Sequence, residues 1–288
     1  MKKIISFSLW GDDPIYNIGA IRNAELSPEI YPDWICRFYL GDNVPKETEE
    51  KLKQFDHVEL VKVDEKNDWL STVWRFYAVD VEDGADVVIF RDTDSRLTHR
   101  EYEAVEEWLT TGRYLHIMRD HPNHTDPISA GMWGCLVKDF IRKINQEVYV
   151  RYGMEEISNL KTILKDWLSN EKRRTENEEP NCYKLEDYTS KGIDQRFLRD
   201  FIFKMMFEDR HVHDDRIIDV NDVKKDSLSY YIKPFHSVLK PDEDGFYHFI
   251  GQVYDENDAP NEEYSKLYEE NKIAKLKNKQ NMTEAIGE

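Results

Sequence analysis

The sequence predicts an α/β protein with a mostly parallel central sheet flanked by helices. Three observations predict it. Short runs of β-branched and aromatic residues alternate with helical segments through the first half of the chain. The purest of these runs, Val87-Val88-Ile89-Phe90, breaks abruptly into Arg91-Asp92-Thr93-Asp94-Ser95-Arg96. Directly after that break, Thr98 and Glu101 stand at capping-box spacing, ahead of an apolar stripe at Tyr102, Val105 and Leu109. A buried strand, a tight acidic turn and a capped helix are what an open α/β sheet uses to present a ligand beyond the carboxyl ends of its strands.

The elements follow in order. Ile4–Leu9 reads as the first strand, followed by a loop holding Gly11, Pro14 and Gly19 and a polar helical stretch around Ile21–Leu26. Trp34–Leu40 is a second strand that ends in Gly41-Asp42-Asn43; Pro45 opens a helix through Phe55. Val58–Val63 is a third strand, ending at Asp64, and Trp69–Val79 reads as a helix before the fourth strand at Val87–Phe90. Tyr114–Met118 and Met132–Val137 supply two more strands. Residues 138–211 are mainly helical: Phe140, Ile144 and Val148 form one stripe, and Ile157, Leu160, Ile163, Leu164 and Trp167 another. Asn170–Asn181 reads as an exposed polar loop, and Ile193 to Met205 as one amphipathic helix. After Pro260 the chain is strongly charged, which suits a surface helix or a frayed tail. The expected organisation is a single domain over 1–255, with a helical and loop insertion at about 152–192, followed by a charged segment over 256–288.

Composition narrows the class of partner. In 288 residues, 40% apolar and 12% aromatic content argue for a folded protein despite 34% charge. A net charge of −18 argues against nucleic acid or an anionic membrane surface, since both want basic patches. Cys36, Cys135 and Cys182 are far apart and odd in number, so neither a disulfide framework nor a thiolate metal site is expected. The N-terminal run is short, broken by serines and ended by Gly11-Asp12-Asp13, so it reads as a strand and not as a signal peptide. No stretch is long enough to span a bilayer. The chain is therefore expected in the cytoplasm, where the N-x-T sequons at Asn123 and Asn281 carry no meaning.

The acidic turn carries the chemistry. In extended chain, residues two apart point to the same face, so Asp92 and Asp94 aim together at one point. Two hard oxygen ligands suit Mg²⁺ or Mn²⁺, which keeps several waters and takes further ligands from a substrate's phosphates. Asp-x-Asp is common by chance in a chain with 58 acidic residues, where most examples are solvated turns. Its position between a strand and a capped helix is what raises this one to a site.

Several motifs in order then match a known family. Phe90-Arg91-Asp92-Thr93-Asp94-Ser95-Arg96 resembles the DxD segment of GT-A-fold glycosyltransferases. Met118-Arg119-Asp120-His121-Pro122-Asn123-His124, then Pro127-Ile128-Ser129-Ala130-Gly131-Met132-Trp133-Gly134, Asp194-Gln195 and His248-Phe249-Ile250-Gly251 complete the set. Their order looks like the family-8 retaining transferases, and the Arg-Asp-His-Pro and Gly-Met-Trp-Gly runs look like an uncharacterised bacterial and viral group. The sequence departs from family 8 after Gly251, with Gln252-Val253-Tyr254 where that family has a phosphate-binding lysine and Pro-Trp.

The resemblance implies a metal-dependent transfer of a sugar from a nucleotide-diphosphate sugar, a UDP-sugar first, to a glycan or other hydroxyl acceptor. It implies that Asp92 and Asp94 hold the Mn²⁺ or Mg²⁺, with His248 as third ligand; on its own, His248 is an ordinary histidine between Tyr247 and Phe249. Arg75 either reaches the donor or is a solvated helix arginine. Asp194 and Gln195 either serve a helix N-terminus or hydrogen-bond the donor sugar's hydroxyls. Asp120 and His121 follow a strand end and are further sugar-binding candidates, and Asp120 or Asp194 would be the base of an inverting route. The motif order leans to a retaining one. Trp10, Tyr16 and Asp64 are candidates for the nucleotide, and Gly131 and Gly134 for close backbone approach, to sugar or in packing. His121 and His124 do not make a zinc pair across Pro122. His211 and His213 share a face if extended and, with the surrounding acids, could take up a metal adventitiously, but Asp209–Asp215 reads as a solvated turn. Two rival functions are a haloacid-dehalogenase-type phosphatase using Asp92 as nucleophile, which normally carries its motif on the first strand, and a non-catalytic nucleotide-sugar-binding protein.

Overall fold

The computed structural model describes residues 1–65, 68–152, 156–176, 191–206, 208–215, 232–233, 235–236 and 239–273. Residues 153–155 and 177–190 of the predicted 152–192 insertion, Cys182 among them, and Asn281 lie outside them. Eight strands form one sheet in the order β3-β2-β1-β4-β6-β5-β7-β8. They are β1 Lys3–Leu9, β2 Ile35–Leu40, β3 Val58–Lys62, β4 Val87–Phe90, β5 Leu115–Arg119, β6 Trp133–Leu136, β7 Arg210–Asp214 and β8 Ile232–Lys233. All neighbours pair in parallel except β6, which runs antiparallel to both β4 and β5. The α/β class and the largely parallel sheet are therefore as the sequence predicts.

The period of two along each strand divides the core between two layers. Ile5, Phe7 and Leu9 on β1, with Val87 and Ile89 on β4, face one side. There they pack on α1 (Pro14–Ile30), α2 (Lys46–Leu52) and α3 (His99–Thr110), through Ala20, Ala24, Leu52, Val105 and Trp108. Ile4, Val88 and Phe90 face the other side. They meet a 3₁₀ segment (Trp69–Ala78), α4 (Val137–Tyr152), α5 (Leu160–Glu176) and α6 (Ile193–Phe197), which continues through a π turn at Leu198–Ile202. Leu160, Ile163, Leu164 and Trp167 thus belong to the same core as the sheet. α5 also runs on through Glu176, so the first part of the predicted Asn170–Asn181 loop is helix.

Small polar residues on β1 fix how closely the 3₁₀ segment approaches. Ser6 Oγ donates to Arg75 O at 2.7 Å, and Ser8 Oγ donates to Thr72 O at 3.3 Å while accepting from Arg75 N at 2.9 Å. The serines that interrupt the apolar run in sequence are what seat Arg75. Asp68 caps the segment, accepting from Leu70 N at 2.8 Å.

β1 is flanked by β2 on one side and β4 on the other, and the chain passes from the β1-β2-β3 half back across β1 to reach β4. This reversal leaves a crevice outside the carboxyl ends of β1 and β4, the place where open α/β sheets bind ligands. No helix among the described residues is long and apolar enough to cross a membrane.

The predicted capping box at α3 is half formed. Thr98 Oγ1 accepts from Glu101 N at 3.2 Å, but the Glu101 carboxylate turns inward and takes Arg91 Nε at 3.0 Å. Both side chains are buried, at 2% and 1% exposure, and Arg91 also donates to Phe90 O at 2.7 Å. A lone charge left there would have no water to fall back on. Glu101→Ala is expected to destabilise the fold by roughly 3–5 kcal/mol, because it strands the Arg91 guanidinium; urea denaturation followed by circular dichroism checks it.

Candidate active site

At the switch point lies a cavity of about 540 Å³. The end of β1 contributes Leu9, Trp10 and Gly11, the end of β4 contributes Asp92 and Asp94, and the far wall is Gly131, Asp194 and Gln195. Eight of the residues singled out in the sequence meet here: Trp10, Tyr16, Arg75, Asp92, Asp94, Gly131, Asp194 and Gln195.

The acidic turn is held from several sides. Asn23 of α1 donates to Ser95 O at 2.8 Å and accepts from Leu97 N at 3.0 Å. Gly19, on the same helix, packs so closely that a Cβ would stand 1.8 Å from Thr93 O. Ser95 Oγ donates to Asp92 O at 2.9 Å, and Tyr254 N donates to Asp94 O at 2.9 Å. Arg96 bridges Ser95 O at 3.0 Å and Asp258 Oδ1 at 2.7 Å. The turn is a rigid platform, which two metal-directed carboxylates need.

Arg75 is not a solvated helix arginine. It is 4% exposed, and its Nη1 donates both to Asp92 Oδ1 and, at 3.2 Å, to Arg91 O. Its Nη2 donates to Asp194 Oδ2 at 2.7 Å. One guanidinium therefore joins the acidic turn to α6. The other Asp194 oxygen accepts from Gln195 N at 2.8 Å, so Asp194 serves its helix start and faces the cavity at once. Gln195 clasps backbone: its Oε1 accepts from Ala130 N at 2.9 Å and its Nε2 donates to Ile128 O. Both polar ends of Gln195 hold the 128–130 loop, so as placed it positions the site while bordering the cavity.

Charge in the cavity is unbalanced. Asp12, Asp13, Asp92, Asp94 and Asp194 line it, against Arg75 and Lys191. Burial first, then the neighbouring Asp92 charge, pushes the Asp94 carboxyl up to about 7, with Arg75 and Arg96 pulling the other way. Tyr16 is raised as well, by burial and then by Asp94, Asp13 and Asp92. Gly131 completes the cradle: a Cβ there would stand 1.9 Å from Asp92 Oδ2, so only glycine leaves room for that carboxylate. Two hard carboxylates with surplus negative charge fit Mg²⁺ or Mn²⁺ well.

Four expected site residues, Asp120, His121, His248 and Asp64, are elsewhere. Asp120 is 1% exposed and does not line the cavity. Arg100 grips both its oxygens, Nε to Oδ2 at 2.8 Å and Nη2 to Oδ1 at 2.7 Å, and Ile250 N donates to it at 3.0 Å. It is a bracket between α3, the end of β5 and the 248–251 segment, and no base for an acceptor. His248 has both ring nitrogens engaged, Nδ1 with Tyr254 OH at 2.6 Å and Nε2 with Asp242 Oδ2 at 2.7 Å, and it too is outside the cavity lining. As held, it offers no lone pair to the metal. Asp64 lines a separate shallow hollow with Lys2, Arg37 and Glu59. His121 and His124 hold their own loop, with His121 Nε2 2.9 Å from Tyr264 O and His124 Nδ1 accepting from Asp120 N at 3.1 Å.

Sequence reasoning missed Lys191, Thr72 and Ser129 as cavity residues. Lys191 Nζ stands 5.6 Å from the ring centre of Trp69, which is 41% exposed and meets Trp10 edge-on at 6.4 Å. Lys191 and Thr72 belong to no motif, and only topology brings them here; Ser129 lies within the Pro127–Gly134 run but was given no role of its own.

No family model and no curated protein matches the sequence. Among solved structures, the chain is similar to a glycosyltransferase involved in the glycosylation of the major capsid of PBCV-1, at 12% identity and a TM-score of 0.41, over 74% of this chain and 82% of that one. It is similar to the galactosyltransferase LgtC in complex with donor and acceptor sugar analogues, at 13% identity and a TM-score of 0.34, over 53% and 66%. A mannosyltransferase from Pyrobaculum calidifontis, in complex with GDP-Man and Mn²⁺, matches at 9% identity and a TM-score of 0.37, over 50% and 46%. These scores describe a distant likeness, and the chemistry of the cavity stands on its own residues.

Proposed function

We propose that this chain is a metal-dependent glycosyltransferase of the GT-A type, moving a sugar from a nucleotide-diphosphate sugar, a UDP-sugar first, to a hydroxyl acceptor in glycan synthesis. One observation carries the reading: Asp92 and Asp94 reach together into a cavity at the switch point of the sheet, with Arg75 fixing the first of them. Asp92 and Asp94 would hold Mn²⁺ or Mg²⁺. Bound there, such an ion neutralises the diphosphate and the charge that builds on the leaving group.

The chain's own residues do the rest. Arg75 keeps Asp92 and Asp194 in fixed relation, so that donor diphosphate and donor sugar are positioned by one guanidinium. Trp10, Tyr16 and Trp69 give an aromatic wall for the base. Asp194 faces the sugar, and Gly131 and Ser129, fastened by Gln195, form the floor beneath it. A retaining course is favoured over an inverting one. Of the two candidate bases, Asp120 is locked to Arg100, and Asp194 is committed to Arg75 and its own helix.

The test is a thermal-shift panel of nucleoside diphosphates and nucleotide sugars with and without Mn²⁺. One nucleotide is expected to raise the melting temperature only with the metal. Asp92→Asn and Asp94→Asn are expected to abolish that shift and to lower transfer by on the order of a hundredfold or more. No metal-dependent shift with any nucleotide sinks the reading.

Gly131→Ala forces Asp92 out of its place and is expected to raise the Mn²⁺ needed for half-maximal shift by roughly tenfold, about 1.4 kcal/mol, with the melting temperature of the metal-free protein little changed. Titration of Mn²⁺ by the same assay checks it.

Metal affinity should also depend on pH. Asp94 ionises at about 7 in the fold, against about 3.9 in an unfolded chain. The metal-free native state thus holds a proton that the unfolded chain has lost, so this group makes stability fall as pH rises between those values. A metal must displace that proton, so the Mn²⁺ midpoint should drop as pH rises toward about 7 and level off above it. A midpoint flat from about pH 5.5 to 8 would contradict this.

A further inference from the structure

The segment read from sequence as a solvated turn, Asp-Arg-His-Val-His-Asp-Asp, is β7, and every residue from Arg210 to Asp214 is buried. β7 pairs with β5 so that His116 lies opposite His211. His211 and His213, two apart, face the same side and meet Glu107 from α3. Among the described residues, this is the group that brings three histidine, cysteine or carboxylate ligand atoms within 4.8 Å of one another.

The geometry around Glu107 is that of a ligand cluster lacking its centre. His211 Nε2 is 3.6 Å from Glu107 Oε1, and His213 Nε2 is 3.1 Å from Oε2. A third histidine, His236, brings its Nε2 onto the same Oε2. His211 is 3% exposed, and its Nε2 is buried with no hydrogen-bond partner among the described residues. A buried polar atom aimed into a cluster and left unpaired wants an explanation. Behind the cluster, His213 Nδ1 lies 2.9 Å from His116 Nε2, and His116 stacks on Trp108 at 5.1 Å.

We propose that Glu107, His211 and His213 form a site for a divalent transition metal, best suited to Zn²⁺, with His236 as the fourth ligand. Imidazole and carboxylate in a four-membered set suit zinc, whereas Mg²⁺ and Ca²⁺ want oxygen throughout. With Nε2 of His213 on the metal, its Nδ1–H donates to His116, the outer hydrogen bond that orients a ligating histidine. Lys233, 58% exposed, holds Glu107 Oε1 at 2.9 Å, and a cation bound there would displace its ammonium toward solvent. With all four ligands from protein, the site is structural. It ties α3, β7 and the segment after β8 at one sheet edge, away from the Asp92 cavity, and it stands whether or not the chain transfers sugar.

The experiment uses the full chain, stripped with chelator, re-equilibrated with Zn²⁺ alone and desalted, with no nucleotide present. A single equivalent of zinc should stay with the wild type and with Asp92→Asn/Asp94→Asn. His211→Asn/His213→Asn should lose it. Because those two residues are buried, the exposed His236→Ala is the second variant: its circular dichroism should match the wild type while its zinc affinity falls at least tenfold. Co²⁺ in place of zinc should give the strong visible absorption of a four-coordinate site, shifted in His236→Ala where water replaces the imidazole. The proposal is overturned if the wild type retains no zinc, if His236→Ala binds with unchanged affinity, or if the zinc is lost with Asp92 and Asp94.

Discussion

The buried Arg75 guanidinium is the interaction on which the rest of the site depends. It reaches β4's acidic turn through Asp92 and α6 through Asp194, while its own backbone is seated on β1 by Ser6 and Ser8. Three elements distant in sequence are thereby held by one planar, permanently charged group, which a lysine's point charge would not reproduce. Its neighbour in the same turn, Arg91, points the opposite way into the α1/α3 layer and is neutralised by Glu101. The two arginines clamp the end of β4 from both faces of the sheet, and the two aspartates are what remains to face the cavity.

This division follows from the pleat. Alternation along β4 sends Val87 and Ile89 to one helical layer and Val88 and Phe90 to the other, and the strand ends where the layers part. Past that edge the chain leaves the pleat in a turn at residues 93–94, and Asp92 and Asp94 both border the cavity. The crossing between β1 and β4 opens the crevice, so sheet topology and side-chain periodicity converge on one place.

Much of this was legible in the sequence because it is local. β4 falls at the residues predicted, β1 to β3 differ by a residue at their ends, and Thr98 caps α3. What failed is non-local. Asp120 looked like a base at a strand end, but Arg100 and Ile250, distant in the chain, enclose it. His248 carried its expected role only through motif order, and Asp242 and Tyr254 occupy its ring. β7 was missed because Arg-His-Val-His-Asp has no apolar run. Its polar side chains are buried by pairing, as with Arg119 on Asp214 at 3.0 Å, and hydropathy does not register pairing. Arg75 was suspected, but its two carboxylate partners were beyond reach of any spacing rule.

Gln195 has a consequence of a different kind. Its amide reads main chain on either side of residue 129, the Ile128 carbonyl and the Ala130 N–H, and no side chain between them. The side chain at 129 borders the cavity while taking no part in that clasp. Variation at this one position can therefore reshape the surface offered to a ligand without slackening the frame that carries it. A lineage of such proteins, or a laboratory library, has there a place to diversify selectivity at little structural risk.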